Sequence, residues 1–179
     1  MVATAYQRTR MMIRECVQAD FGRILELIND SAQAYRGVIP ADCWRDPYML
    51  AEELRREIDD GVRFHCAEDA GAILGVMGLQ DKGTVELIRH AYVSTPCRGR
   101  GVGTMLLRHL ESIRRHPILI GTWAAATWAI SFYEKNGYAR VAEPQKNELL
   151  RRYWSISERQ IETSVVLYGV GLARSQGRS

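Results

Sequence analysis

The segment with the clearest chemistry is a glycine-rich turn in the middle of the chain, Arg98-Gly99-Arg100-Gly101-Val102-Gly103, followed by an amphipathic run that starts at Thr104. Glycine leaves backbone N–H groups open to a ligand and permits positive φ where the chain must bend. The first turn of a helix carries four N–H groups without intrahelical partners, and the positive end of the helix dipole. Because residues 84–93 predict a strand just before it, this turn is typical of a pyrophosphate-binding site.

The spacing of the glycines excludes two kinds of nucleotide site. A Walker loop ends in Gly-Lys followed by Ser or Thr, and that sequence is absent. A dinucleotide fingerprint needs a third glycine three residues after the second, where this chain has Thr104 or Leu106, depending on the frame. The remaining pattern is Arg-x-x-Gly-x-Gly at Arg98, Gly101 and Gly103. It resembles the acyl-CoA signature of the GNAT N-acetyltransferase superfamily.

A second motif strengthens the resemblance. Residues 118–122 form an apolar run that predicts a short strand, and the helical run after it ends in Phe132-Tyr133-Glu134-Lys135-Asn136-Gly137-Tyr138. The superfamily has a similar aromatic-Tyr-Glu-Lys-x-Gly-aromatic segment at this distance from its glycine turn. Gly137 is suited to the left-handed position that ends a helix. Two motifs in the right order extend the resemblance over roughly residues 13–167.

The resemblance implies an α/β (α+β) fold with a mixed, mostly antiparallel central sheet. We expect roughly six to seven strands, about four flanking helices, and a splay between the fourth and fifth strands. Residues 12–172 are predicted to form a single acetyltransferase domain, with disordered tails at 1–11 and 173–179. Asp46 followed by Pro47 predicts the start of the second helix. Segments 138–141 and 161–168 predict a C-terminal hairpin, and the insert between them, 147–159, is expected to be partly helical and to close the acceptor site or form a dimer contact.

The resemblance also implies the co-substrate and the residues that hold it. Acetyl-CoA would donate its acetyl group directly to an amine, without a metal or a covalent enzyme intermediate. The pantetheine arm would bind the backbone of Tyr92 and Val93 in the gap between the splayed strands. Arg98 or Arg100 would add positive charge near the 3′-phosphate. The residues expected to form the phosphate-binding turn are Arg98, Gly99, Arg100, Gly101, Val102, Gly103 and Thr104.

Amine acetylation requires two proton transfers. An alkyl ammonium has a pKa near ~10 and must lose a proton before it can attack, and the departing thiolate leaves more easily when protonated. The resemblance makes Tyr133 the general acid. Two residues of the fourth strand remain alternatives for the base: Glu86, because the superfamily often has a glutamate nearby, and His90, because imidazole titrates near neutral pH. Strand alternation places both on one face unless a bulge intervenes.

The acceptor is expected to contact aromatic and cationic side chains. We predict that Tyr35 and Trp44 in the loop 35–44, together with Arg89 and Trp123, bind it. Such a pocket suits a small amine that carries a carboxylate, such as an amino acid. Acetylation of a protein or peptide remains an alternative that needs an open groove. A second alternative is an acyl-CoA sensor without turnover, because Ala126 stands where the superfamily often has an asparagine.

Composition narrows the classes of partner. The chain has 179 residues, 46% of them hydrophobic, and a net charge of +3, which indicates neither a nucleic acid nor a membrane surface. No apolar run approaches the length of a membrane span. The four cysteines have no metal-ligand spacing, so reduced thiols in a cytoplasmic protein are expected. The habit of the superfamily adds a homodimer to these expectations.

Overall fold

A computed structural model describes residues 11–169. The tails predicted at 1–11 and 173–179 lie outside these residues, apart from Met11, which packs against the core. The strands are β1 (Met12–Glu15), β2 (Val62–Asp69), β3 (Ala72–Asp81), β4 (Glu86–Val93), β5 (Ile118–Trp123), β6 (Tyr138–Arg140) and β7 (Ser164–Gly169). The helices are α1 (Phe21–Ala32), α2 (Ala51–Asp59), α3 (Val102–Ile113), α4 (Thr127–Lys135), α5 (Gln145–Tyr153) and α6 (Glu158–Glu162).

The strands form one sheet in the order β1-β2-β3-β4-β5-β7-β6. Every neighbouring pair is antiparallel except β4 and β5, which are parallel. The predicted mixed, mostly antiparallel sheet is therefore confirmed. The described residues contain six α-helices rather than about four, mainly because the insert after β6 folds into α5 and α6.

The predicted splay between β4 and β5 is also present. The two strands pair only from Glu86 with Ile118 to Ile88 with Ile120. Beyond that point β5 continues to pair with β7 as far as Trp123, while β4 continues along β3 as far as Val93. The sheet therefore opens into a gap between the later halves of β4 and β5.

A β-bulge interrupts β4 inside this gap. Arg89 lies opposite Gly78, but Tyr92 lies opposite Val76, so β4 carries one residue more than β3 over this stretch. His90 has φ = +48°, a left-handed conformation that is uncommon outside glycine. The simple alternation expected along β4 therefore ends before His90, and the residues after it face directions that periodicity alone does not predict.

The core lies on both faces of the sheet. Helices α3 and α4 cover one face and α1 and α2 the other, with buried side chains that include Leu106, Leu107, Leu110 and Ile130 on the first and Ile24, Leu27, Ile28 and Leu54 on the second. The start of α3 lies close against β3, because a Cβ on Gly75 would come within 3.0 Å of Val102 Cγ1. This contact fixes the glycine turn beside the end of β4.

Two predicted element boundaries are wrong. Helix α2 begins at Ala51 and not near Asp46, because the Asn29 side chain bonds both the N–H (2.8 Å) and the C=O (2.9 Å) of Met49 and keeps this stretch out of the helix. The last strand begins at Ser164. Ile161 belongs instead to α6, which the Ser157 side chain caps at its N-terminus.

Candidate active site

A pocket of about 630 Å³ lies in the gap between β4 and β5. Its walls come from the later half of β4, the end of β5, helix α2, helix α4, and the segment that contains α5 and α6. Residues of all these elements line it, including Glu57, His90, Tyr92, Thr122, Tyr133 and Trp154. The splay of the sheet therefore creates a space that side chains from distant parts of the sequence share.

The glycine turn has the conformation that an anion site requires. Gly99 and Gly101 have φ of +74° and +82°. The Arg98 and Arg100 N–H groups donate to the carbonyls of Thr95 (3.3 Å) and Cys97 (3.4 Å), just before the turn. The N–H groups that donate to no other atom of residues 11–169 are those of Gly99, Gly101, Val102, Gly103 and Thr104. Of the seven residues predicted to bind phosphate, five thus offer an open backbone donor at the positive end of α3.

The side chains of the two arginines in this turn differ in their surroundings. Arg98 Nη2 donates to the Ser31 carbonyl at the end of α1 (3.3 Å), and Ser31 Oγ donates to the Val93 carbonyl (3.2 Å). These bonds join the turn, α1 and the end of β4. Both residues are exposed, but Arg100 does not reach α1, and its Nη1 lies 3.8 Å from Cys97 Sγ, three residues earlier in the chain. Arg100 is therefore the better placed of the two to meet a phosphate in solvent.

Tyr133 lies on α4, and its side chain forms part of the pocket wall. Its ring packs edge-on against Phe132 at 5.0 Å and Tyr138 at 6.0 Å between ring centres. Burial, and to a smaller extent the neighbouring Tyr35, raises the pKa of the Tyr133 hydroxyl above its usual range. Tyr133 is therefore protonated at neutral pH, as a general acid must be.

Glu86 lies in the paired part of β4 and does not line the pocket. Its side chain is buried, and Oε2 accepts the N–H groups of Arg115 (2.7 Å) and His116 (3.0 Å) in the connection between α3 and β5. The structure therefore does not place this candidate base in the pocket. Its carboxylate instead accepts hydrogen bonds from two partly buried backbone donors.

The substitution Glu86→Gln distinguishes a structural role of Glu86 from a catalytic one. We expect Glu86→Gln to lower the free energy of unfolding by about 2 kcal/mol, since hydrogen bonds to a buried charged group contribute about 1.5–3 kcal/mol. The kcat of the folded variant should equal that of the wild type. Urea unfolding and steady-state kinetics on the same preparation measure both quantities. A stable variant with lost turnover would restore Glu86 as a candidate base.

His90 does line the pocket, and its imidazole meets Glu57 of α2. Nε2 lies 2.6 Å from Glu57 Oε2, and Arg89 Nη2 lies 2.8 Å from the same oxygen. Burial alone would raise the pKa of Glu57, but its contacts with His90 and Arg89 outweigh burial and lower it. Glu57 is therefore a carboxylate at neutral pH, shared by two basic side chains.

Aromatic side chains cover the pocket on the side of the loop 35–44. Tyr48 lies among them, with its ring centre 5.6 Å from Tyr35 and 5.7 Å from Trp44, and its hydroxyl accepts the Trp123 indole N–H at 3.1 Å. Burial and the neighbouring Tyr48 raise the pKa of Tyr35 to about 12. Of the predicted acceptor contacts, Tyr35, Arg89 and Trp123 line the pocket, whereas Trp44 packs on Tyr48 outside the lining.

The insert after β6 closes another side of the pocket. The Trp154 indole lies over Gly121 of β5, where an added Cβ would come within 3.1 Å of the ring. Leu150, Ser155, Ile156 and Gln160 extend this wall. Arg159 Nε in α6 also contacts Asp42 Oδ2 in the loop 35–44 at 3.1 Å. The insert therefore forms a wall of the pocket, and its predicted part in closing the acceptor site or forming a dimer contact stays a prediction.

Comparison with known proteins decides the family. A family model for the acetyltransferase (GNAT) domain matches residues 28–152. The chain belongs to the GNAT family. It is 25% identical over 153 residues to the peptidyl-lysine N-acetyltransferase YiaC of Escherichia coli K12, covering 85% of this chain and 99% of that protein.

Solved GNAT structures share the fold. A GNAT-family acetyltransferase of Staphylococcus aureus Mu50 superposes with a TM-score of 0.66 at 18% identity, covering 89% of this chain and 98% of that one. The PaiA N-acetyltransferase of Thermoplasma acidophilum, solved with coenzyme A, gives 0.68 at 17% identity with the same coverage. These matches show that the chain has the GNAT fold, and the family model over residues 28–152 makes it a GNAT acetyltransferase.

The open N–H groups of the turn and the unpaired edges of the splayed strands fit the phosphates and the amide-containing arm of acetyl-CoA. No group of three or more His, Cys, Asp or Glu side chains within residues 11–169 is arranged to hold a metal ion. In the same part of the chain, no helix combines the length and apolar character needed to cross a membrane.

Two of the pocket residues that the sequence did not single out contact predicted site residues. Tyr48 is one, and only its aromatic character, shared with many core residues, marked it. Glu57 is the other, and it lies three residues after the buried Leu54 on α2. A carboxylate at that spacing borders the buried face of a helix. The spacing from Leu54 could have indicated Glu57, but the other acidic residues of α2 made it look like part of a solvent-exposed charged face.

Proposed function

We propose that this GNAT protein transfers the acetyl group directly from acetyl-CoA to the primary amine of a small, amino-acid-like acceptor. One observation carries the proposal: a proton donor, Tyr133, and a potential proton acceptor, His90, line the same pocket at the splayed strands. The pocket lies beside the turn that suits the phosphates. This arrangement meets both proton requirements of amine acetylation.

The chain's own groups would hold the co-substrate. The open N–H groups of the turn, from Gly99 and residues 101–104, would bind the pyrophosphate. The backbone of Tyr92 and Val93 would bind the pantetheine amides, and Arg100 would approach the 3′-phosphate. When bound there, acetyl-CoA supplies an acetyl group activated as a thioester.

Two residues carry out the proton transfers, His90 as the base and Tyr133 as the acid. His90 accepts one proton from the acceptor ammonium, directly or through water, so that the amine nitrogen has a free lone pair. As that nitrogen bonds to the acetyl carbon and the carbon–sulfur bond breaks, Tyr133 donates its proton to the departing sulfur. The second proton of the nitrogen is released and restores the Tyr133 hydroxyl. The net products are an N-acetyl amide, free CoA and one proton.

The charged side chains of the pocket support an acceptor that carries both a positive and a negative charge. Arginine and carboxylate side chains line it together: Arg45, Arg56, Arg89, Glu53, Glu57 and Asp60. An amino acid presents an ammonium and a carboxylate at once. The wall around Trp154, and the ion pair between Arg159 and Asp42 that joins the insert to the loop 35–44, favour a small molecule.

A lysine side chain of a peptide is the second candidate. The relative YiaC is a peptidyl-lysine N-acetyltransferase, and a lysine side chain is a slim primary amine. The carboxylates of α2 would suit its charge. This acceptor requires the rest of the peptide to lie outside the Asp42–Arg159 contact.

Parallel assays with acetyl-CoA distinguish the acceptors. One set contains free amino acids and related small amines, and the other contains lysine peptides with blocked N-termini. Release of CoA, together with the mass of the acetylated product, measures transfer. Turnover confined to the small amines supports the proposal, and turnover confined to peptides replaces it with the second candidate. Tight acetyl-CoA binding without any transfer would favour a sensor.

A further inference from the structure

We propose that Glu57 is a positioning residue for His90, so that a carboxylate–imidazole pair and not an isolated histidine acts as the base. The inference rests on the proposed function, since it assigns the residue that prepares its base. The observation behind it is the 2.6 Å contact between His90 Nε2 and Glu57 Oε2 at the pocket wall.

The backbone of β4 is distorted at the point where this contact forms. The bulge gives His90 a φ of +48°, and such conformations of non-glycine residues are unfavourable and persist only when the surroundings enforce them. The imidazole lies against α2 and stacks on the Phe64 ring at 5.9 Å between ring centres. Two elements, β2 and α2, thus hold the ring in one orientation.

Glu57 is itself held by a chain of polar contacts. Arg89 Nη2 lies 2.8 Å from Oε2, and Arg89 Nη1 donates to Gln80 Oε1 at 2.9 Å. Gln80 Nε2 in turn donates to the Asp60 carbonyl at the end of α2 (3.0 Å). The carboxylate is therefore fixed in position, and Arg89 balances its charge.

This arrangement selects one tautomer of neutral His90. A carboxylate only accepts hydrogen bonds, so the shared proton lies on Nε2 and the lone pair lies on Nδ1. Nδ1 forms no hydrogen bond with any of residues 11–169, so it is available to take a proton in the pocket. Once Nδ1 is protonated, the negative charge of Glu57 stabilises the imidazolium, as in the carboxylate–histidine pairs of hydrolases.

Truncation of Glu57 tests this role. We expect Glu57→Ala to lower kcat about tenfold or more, because an imidazole without its partner is neither oriented nor confined to one tautomer. The KM for acetyl-CoA should stay within about twofold, since the glycine turn is untouched. Glu52→Ala is the matched control, because Glu52 is exposed on the same helix and does not line the pocket.

Nitrogen NMR of labelled histidine provides a readout that does not depend on turnover. In the wild type, the neutral His90 ring should carry its proton on Nε2, and in Glu57→Ala it should populate both tautomers. A wild-type proton on Nδ1 would overturn the inference even if the variant fails to fold. Full turnover in a folded Glu57→Ala variant would overturn it as well. An inactive wild type would instead count against the proposed function.

Discussion

Replacing Tyr133 with phenylalanine should lower kcat by about 10²-fold or more while leaving the dissociation constant of acetyl-CoA within about twofold. A positioned general acid contributes about 10²–10⁴-fold to rate. Tyr133 lines the pocket, and burial raises the pKa of its hydroxyl, so the hydroxyl holds a proton at neutral pH. The substitution removes one oxygen and leaves the ring packing in place. Steady-state kinetics with the best acceptor, together with calorimetry, measure both quantities.

Tyr138→Phe is the matched control for this experiment. Tyr138 is also a buried tyrosine, but its hydroxyl donates to Glu111 Oε1 (2.9 Å) and it does not line the pocket. Loss of that bond should cost stability and leave kcat close to the wild type. Normal turnover in Tyr133→Phe would exclude Tyr133 as the acid. An equal loss in both variants would point to altered packing of α4.

Replacing Gly101 with valine should weaken acetyl-CoA binding about tenfold or more. Gly101 has φ = +82°, and a β-branched residue is strained there by roughly 1–2 kcal/mol. The turn relieves this strain by changing φ, which moves the N–H groups of residues 102–104 away from their common direction. When acetyl-CoA binds, the turn must return to positive φ, and the strain energy is then lost from the binding free energy. A loss of 1.4 kcal/mol raises the dissociation constant tenfold. Titration calorimetry measures the change.

Gly83→Val separates this local effect from general destabilisation. Gly83 lies in the turn between β3 and β4 with φ = +81°, and an added Cβ at either glycine would meet no atom within 4 Å. The two variants should therefore lose similar stability in urea, while only Gly101→Val loses affinity for acetyl-CoA. Unchanged affinity in Gly101→Val would remove the glycine turn from the binding site.

The sequence was most informative where function depends on local backbone geometry. Gly99 and Gly101 form the expected turn and α3 begins at Val102 within the motif, because positive φ and open N–H groups follow from residue type and order. Tyr133 was found through its motif with Gly137. The splay of β4 and β5 came from the resemblance, since no local pattern specifies which strand edges separate.

Residues placed by tertiary contacts were less predictable. Alternation along β4 made Glu86 and His90 equal candidates for the general base. The bulge brings His90 to the pocket, whereas backbone donors hold Glu86 away from it. Neither the bulge nor the donors leaves a pattern in the sequence. Glu57 was hidden for a related reason, since its spacing from Leu54 is a weak signal and the packing of α2 against β4 is what separates it from the exposed carboxylates of the same helix.

The most direct test of the account is a calorimetric titration of the wild-type chain with acetyl-CoA, run beside titrations with ATP and NAD. The glycine turn and the gap between β4 and β5 predict micromolar binding of acetyl-CoA and no comparable binding of the two nucleotides. Absence of acetyl-CoA binding would contradict both the assigned phosphate site and the proposed transfer reaction.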